Sequence, residues 1–192
     1  MKEALNLALR LTLICAVAAI ALSQVNSFTA GPIAAAEYAS KMEAVTAVLP
    51  GFDNDPGQSA IEVEGRVYYP ATLGGEATGW AFRGVTQLGY SGEIEVMIGV
   101  DGTGAVHGLR ILRHAETPGL GANYADPALL DDFFGGTNLA STNWRMSKDG
   151  GDIDAVTGAT ITGRALADAV EAALRQFADD LPRLTAAGEV DA

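Results

Sequence analysis

A single cysteine, Cys15, in 192 residues leaves no intrachain disulfide, and one thiolate cannot build an iron–sulfur or zinc site. Histidine is nearly as scarce. His107 and His114 are the only two; a bis-histidine haem would consume both, and no CxxCH motif is present. Redox chemistry here would need an organic cofactor. Basic residues are few, 12 Lys and Arg against 24 Asp and Glu. Residues 1–34 hold only Lys2, Glu3 and Arg10 among charged types, so the remainder carries 23 acids against 10 bases. That balance argues against nucleic acid as a partner and against docking on anionic lipid, both of which need basic patches. Solubility is the plain meaning of the acidity, and steering of a basic partner is the functional one.

What is present begins with an apolar N-terminal stretch. Ala4 to Val25 is interrupted only by Asn6, Arg10, Thr12, Ser23 and Gln24, and is densest from Leu11 to Leu22. Spanning a bilayer takes ~20 residues, and the stretch suffices when Arg10 snorkels to the headgroups. Lys2 and Arg10 precede the dense run, and the next charge is Glu37. The positive-inside rule then puts the N-terminus in the cytoplasm and the rest outside. The competing reading is a cleaved signal peptide with Ala34-Ala35-Ala36 as its cleavage site. Ile14, directly before Cys15, is too large for the usual lipidation site. Both main readings export the 158 residues that follow residue 34, enough for one domain with a substantial core.

Periodicity predicts a helix from Ala34 to Leu49, ended by Pro50-Gly51, and a loop from Asp53 to Gln58. Ile61 to Tyr69 reads as a strand, Pro70 to Gly75 as a turn, and Trp80 to Leu88 as a second strand. Glu93 to Val100 alternates cleanly, with Ile94, Val96, Ile98 and Val100 on one face. Asp101-Gly102-Thr103-Gly104 signals a hairpin into Val106 to Leu112. The run from His114 to Gly121, HAETPGLG, cannot be regular structure, because Pro118 lacks an N–H and Gly119 and Gly121 permit positive φ. A short helix from Asp126 to Phe134, a loop, and a short strand from Trp144 to Lys148 follow, closed by Asp149-Gly150-Gly151. A long amphipathic helix then runs to about Leu181, burying Ile161, Leu166, Val170, Ala173, Phe177 and Leu181, and stops at Pro182. The expected fold is α+β, an antiparallel sheet packed by helices and preceded by one N-terminal transmembrane helix. The expected organisation is an anchor at 1–33, a domain at 34–182 and a mobile tail at 183–192.

DAVTGATIT, from Asp154 to Thr162, is the most informative segment. A helix start leaves backbone N–H groups unpaired and partly positive, which suits a phosphate. Gly158 and Ala159 keep the surface narrow, and the Thr160 hydroxyl can form a phosphoester. Ordinary capping is the alternative, with Asp154 or Thr157 as N-cap and Thr160 in the first turn. His107 and His114 each sit on or beside a strand and read as structural.

The chain resembles the G subunit of the Rnf ion-translocating electron transport complex (RnfG or RsxG), an FMN-binding domain family. The related C subunit of the sodium-pumping NADH:quinone reductase shares the motif. The resemblance rests on the N-terminal span followed by Val25-Asn26, on Val48-Leu49-Pro50-Gly51, and on GYSGEIEVMIGVDGTG from Gly89 to Gly104. HAETPGLG and KDGGDIDAVTGATIT, from Lys148 to Thr162, complete it. Gly163 departs from the pattern, where family members often carry serine.

The resemblance implies that Thr160 carries FMN covalently through a phosphoester. Asp154, Thr157, Gly158 and Ala159 would be recognition elements for a flavin transferase, with the backbone near Thr160 also holding the phosphate. Glu116, Thr117, Leu120 and Gly121 would line the isoalloxazine ring; Glu116 would accept from either a ring N–H or a ribityl hydroxyl. The implied function is a membrane-anchored electron carrier within a complex coupling ferredoxin–NAD electron transfer to ion movement. Its FMN domain would lie on the periplasmic or extracytoplasmic side of the cell membrane. Implied partners are the other membrane subunits, one of them also flavinylated, and the transferase. No GxGxxG follows a strand, so no NADH site is expected. Two rivals remain: a free-standing exported FMN-binding flavoprotein, and an unflavinylated structural subunit.

Overall fold

Reversals at paired positive-φ residues and at one aspartate turn fold the middle of the chain into a meander. The computed structural model describes residues 2–188 and divides into two units, Met1–Ser40 and Lys41–Ala192. Helix α1 is Lys2–Val48; it is long and apolar enough to cross a membrane by length and composition. In the first unit every described side chain is exposed, Leu9, Leu13, Val17 and Ile20 included. An apolar surface of that kind suits a bilayer rather than water. The two helical stretches expected separately are thus one element, continuous through Gly31 and Pro32.

The second unit is built on five strands: β1 (Ile61–Val63), β2 (Arg66–Leu73), β3 (Glu76–Gly89), β4 (Gly92–Asp101) and β5 (Val106–Arg113). They pair in chain order, each antiparallel to the next. The Asp101 hairpin forms as expected, with Asp101 Oδ1 accepting from the amides of Thr103 at 2.8 Å and Ala105 at 3.1 Å. The first expected strand is in fact two, broken at Glu64 and Gly65 with φ of 51° and 79°. Pro70 is not in a turn. It lies inside β2 opposite Trp80, and the reversal falls at Gly74-Gly75, with φ of 62° and 85°. β1 covers only Arg66–Tyr68 of its neighbour, so β2 has an open edge where Pro70 loses no ladder bond. The Asn54 side chain closes that edge, donating to Pro70 O at 2.9 Å and accepting from Thr72 N at 2.9 Å.

The sheet is covered on both faces. Ile94, Val96, Ile98 and Val100 of β4 are fully buried in the larger core, while Met97, between them, packs with Val45, Val48 and Leu49 on the other side. The end of α1 can come this close because Gly99 has no Cβ; one there would overlap the Val48 carbonyl. Full burial of each such side chain contributes roughly 1.5–3 kcal/mol, so β4 is the spine of the domain. Helix α2, Pro127–Phe134, is N-capped by Asp126, whose carboxylate accepts from Ala128 N at 3.0 Å.

Helix α3, Thr160–Gly188, lays Leu166, Val170, Ala173 and Phe177 into the larger core. Phe177 stacks on Phe82 at 4.8 Å between ring centroids. Ile161 is not in this stripe. The helix is phased so that Thr162 is buried and Ile161 is half exposed. Nor does Pro182 end the helix. Beyond it Leu184 is fully buried and Arg183 pairs with Glu64 at 2.5 Å, and that packing outweighs the lost backbone bond. The expected tail therefore begins as helix, and its last part, 189–192, lies outside the described residues. Asp180, also on α3, is buried and accepts from Arg66 Nε at 2.8 Å and Tyr68 Oη at 2.6 Å. The guanidinium holds its carboxyl below the ordinary value, while burial, reinforced by Asp180, pushes the Tyr68 phenol up to about 12.

Between α2 and α3 the expected strand at Trp144–Lys148 is absent. A single parallel bridge, Met146 to Ile153, precedes a tight 3-10 turn at Ser147–Asp149. Buried Trp144 and Met146 account for the apolar pattern without a strand.

Candidate functional site

Three loops meet at the start of α3: the β3–β4 turn at Tyr90, the loop leaving β5, and the small-residue segment before Thr160. Together they enclose a cavity of about 300 Å³. Its wall is Tyr90, Glu116, Thr117, Leu120, Gly121 and the run from Gly158 to Thr162. Seven of the nine residues singled out in the sequence lie on this wall: Glu116, Thr117, Leu120, Gly121, Gly158, Ala159 and Thr160. Asp154 and Thr157 do not. Asp154 is exposed and accepts from Ser147 Oγ at 2.5 Å, tying the segment to the 3-10 turn. Thr157 is exposed.

Among the described residues no side chain caps the helix start. Gly163 N donates to Ala159 O at 3.0 Å, which makes Ala159 the N-cap residue, and alanine has no oxygen to offer the first turn. Neither Asp154 nor Thr157 fills that role. The amides of Thr160, Ile161 and Thr162 make no bond within the described residues, so the partly positive end of α3 is open at the cavity. Gly158, at φ 84°, takes a backbone conformation that favours glycine.

Glu116 is the one buried carboxylate here, at 6% exposure. Its Oε1 accepts from Ser91 N at 3.0 Å and its Oε2 from Thr162 Oγ1 at 2.7 Å. The side chain therefore joins the β3–β4 turn to the first turn of α3. Glycine makes room for it: a Cβ on Gly121 would overlap both Glu116 Oε2 and Thr162 Oγ1, and one on Gly89 would press on Oε1. His114 serves the same loop, its Nδ1 accepting from Glu116 N at 3.1 Å. Behind the cavity, buried Tyr124 accepts from Val156 N at 3.1 Å. Burial pushes its phenol above the ordinary value, against the opposing pull of that amide. A larger cavity of about 420 Å³, lined by β2, β3 and α3 residues with Lys41, contains none of the residues marked in the sequence.

The FMN-binding domain family matches residues 89–175, a span that holds every residue on the wall of the smaller cavity. The G subunit of the ion-translocating oxidoreductase complex of Stutzerimonas stutzeri is 40% identical, over 87% of this chain and 78% of its own. The chain belongs to this G-subunit family. The corresponding G subunit of Pseudomonas aeruginosa is 34% identical over 98% of this chain and 95% of its own. That of Cereibacter sphaeroides is 36% identical, over 88% and 82%.

Four residues of this member of the family were not singled out from its sequence. Tyr90 and Ile161 line the cavity as exposed apolar side chains; periodicity alone assigns Ile161 to the buried stripe of the helix. Thr162 is buried beside Glu116. Lys148 Nζ donates to Thr160 Oγ1 at 2.7 Å, a contact made by a loop twelve residues earlier with no local signature.

Proposed function

We propose that this chain is a membrane-anchored electron-transfer subunit carrying FMN as a phosphoester on Thr160. The observation that carries the reading is the Thr160 hydroxyl at the rim of a cavity, on an uncapped helix start, beside the Lys148 ammonium. Amides and ammonium together suit a phosphate. Leu120, Tyr90 and Ile161 offer apolar surface to a flat ring, while Glu116 and Thr117 offer polar groups for its edge or for the ribityl chain. Asp154 and Thr157, exposed and off the wall, suit contact with the flavin transferase rather than with the cofactor. A bound flavin supplies electron transfer one electron at a time, which suits a relay. The chain's own part is to hold, orient and shield it.

The relatives' printed names make them subunits of an ion-translocating oxidoreductase complex. By that likeness this chain serves an Rnf-type complex coupling ferredoxin–NAD electron transfer to ion movement, beside membrane subunits that include a second flavinylated one. Lys2 and Arg10 ahead of the apolar run put its N-terminus in the cytoplasm and its FMN domain outside. The test is intact mass and in-gel flavin fluorescence after co-expression with a flavin transferase, for wild type and Thr160→Val. A gain of one FMN less one water in wild type, absent from the variant, is expected. An unmodified wild type would overturn the covalent reading, and a labelled variant would move the attachment to another residue, Thr162 or Thr157 first.

A further inference from the structure

Among the described residues the Lys148 side chain makes one hydrogen bond, its ammonium lying 2.7 Å from the Thr160 hydroxyl oxygen. An ammonium only donates, so Oγ1 is the acceptor and keeps a second lone pair. The backbone that carries Lys148 is held on both sides. Ser147 Oγ donates to Asp154 at 2.5 Å and Ser147 N to Ile153 O at 2.8 Å. Asp149 accepts from Arg164 Nε at 3.0 Å and Nη2 at 2.7 Å, which ties the turn to α3. A Cβ on Gly151 would overlap the Arg145 carbonyl, so the turn closes tightly behind the lysine. Arg164 is thereby engaged by Asp149, and among the described hydrogen bonds Lys148 alone brings a cation to Thr160. Asp149, Asp152 and Asp154 lie in the same loop, together with Arg145, and Glu116 lies across the cavity.

We propose that Lys148 is the positioning residue for the phosphate at Thr160, serving both the formation of the ester and its retention. The inference rests on the reading of Thr160 as the attachment point. In the bond-forming step Thr160 Oγ1 attacks the flavin-side phosphorus of a flavin phosphoanhydride donor. The Oγ1–P bond forms and the bond from that phosphorus to the anhydride oxygen breaks. The departing phosphate takes the electron pair, and the hydroxyl proton passes to a base of the transferase or to water. Lys148 aims the free lone pair by fixing the other, and stabilises negative charge on Oγ1 as the proton leaves. The product diester keeps one negative charge, and the same ammonium then pairs with a non-bridging oxygen. Without it that charge would be left to the amides at the start of α3.

The experiment follows intact mass over time for the full chain with transferase and donor, in wild type, Lys148→Met, Lys148→Arg and Thr160→Val. Lys148→Met is expected to gain FMN roughly tenfold more slowly or worse, and Lys148→Arg to recover to within about threefold, as a lost charge-assisted bond implies. Phosphorus NMR of fully loaded Lys148→Met should show a shifted diester resonance. A Met variant labelled at the wild-type rate, an Arg variant as slow as Met, or an unmoved resonance would each overturn the role of Lys148 while leaving Thr160 in place. An unmodified wild type, or a labelled Thr160→Val, would overturn both.

Discussion

Two buried carboxylates touch α3, and they are held in opposite ways. Asp180, near the far end of the helix, is met by a guanidinium and a phenol at 2.8 and 2.6 Å. Glu116, at the near end, is met by a backbone amide and a hydroxyl, with no cation, and one side of it faces a cavity. A carboxylate neutralised within the core holds elements together. A carboxylate satisfied only by neutral donors, beside open space, keeps acceptor capacity for something else. On the proposed function, the difference separates a structural end of α3 from a working end.

The sharpest way to break that comparison is to remove each carboxylate and read stability and FMN attachment separately. Asp180→Ala leaves Tyr68 Oη without its acceptor and part-buried Arg66 without its main partner, and should cost about 3 kcal/mol in urea unfolding. Attachment at low temperature should persist; loss of both would erase the distinction. Gly121→Ala pushes a methyl into Glu116 and Thr162 and should cost about 2 kcal/mol while sharply slowing attachment. Glu116→Gln keeps the shape but can no longer accept from both partners at once. About 1 kcal/mol of stability should go, with a clear fall in attachment by intact mass; normal loading would make Glu116 a second Asp180. The smallest effect concerns pH. Arg66 holds Asp180 below its ordinary 3.8, so this stabilisation is present above that value and is lost as pH falls through the lower folded one. The urea midpoint of wild type should therefore drop below about pH 4, and Asp180→Asn should flatten that part of the curve.

Part of this end of α3 could be read in the residues themselves. Small residues before a hydroxyl at a helix start left room for a phosphate, with ordinary capping as the alternative, whereas the Pro-Gly loop was marked as a wall only through the family resemblance. What escaped was long-range. Lys148 reaches Thr160 only because Asp149 and Arg164 bring the turn onto α3, and nothing near Lys148 announces that pairing. Thr162 was given no role because Glu116, its partner, is 46 positions away. In the fold, the Asp101 hairpin and the alternation of β4 were plain, since both are local. Pro70 misled because its place in β2 depends on how short β1 is, and Pro182 because buried Leu184 draws the helix past it. In each case a local preference met a tertiary contact and yielded.

A Cβ at Gly163 would strike the Tyr124 hydroxyl. That hydroxyl is the acceptor for Val156 N, just ahead of the Thr160 segment. Positions 124 and 163 thus share one volume, and change at them has an order. A lineage that shrinks residue 124 first opens space that a serine can fill, and the serine oxygen can take over the amide. The reverse order passes through a chain whose loop ahead of Thr160 is pushed from its place. The two positions should covary across the family, tyrosine with glycine and a smaller residue with serine.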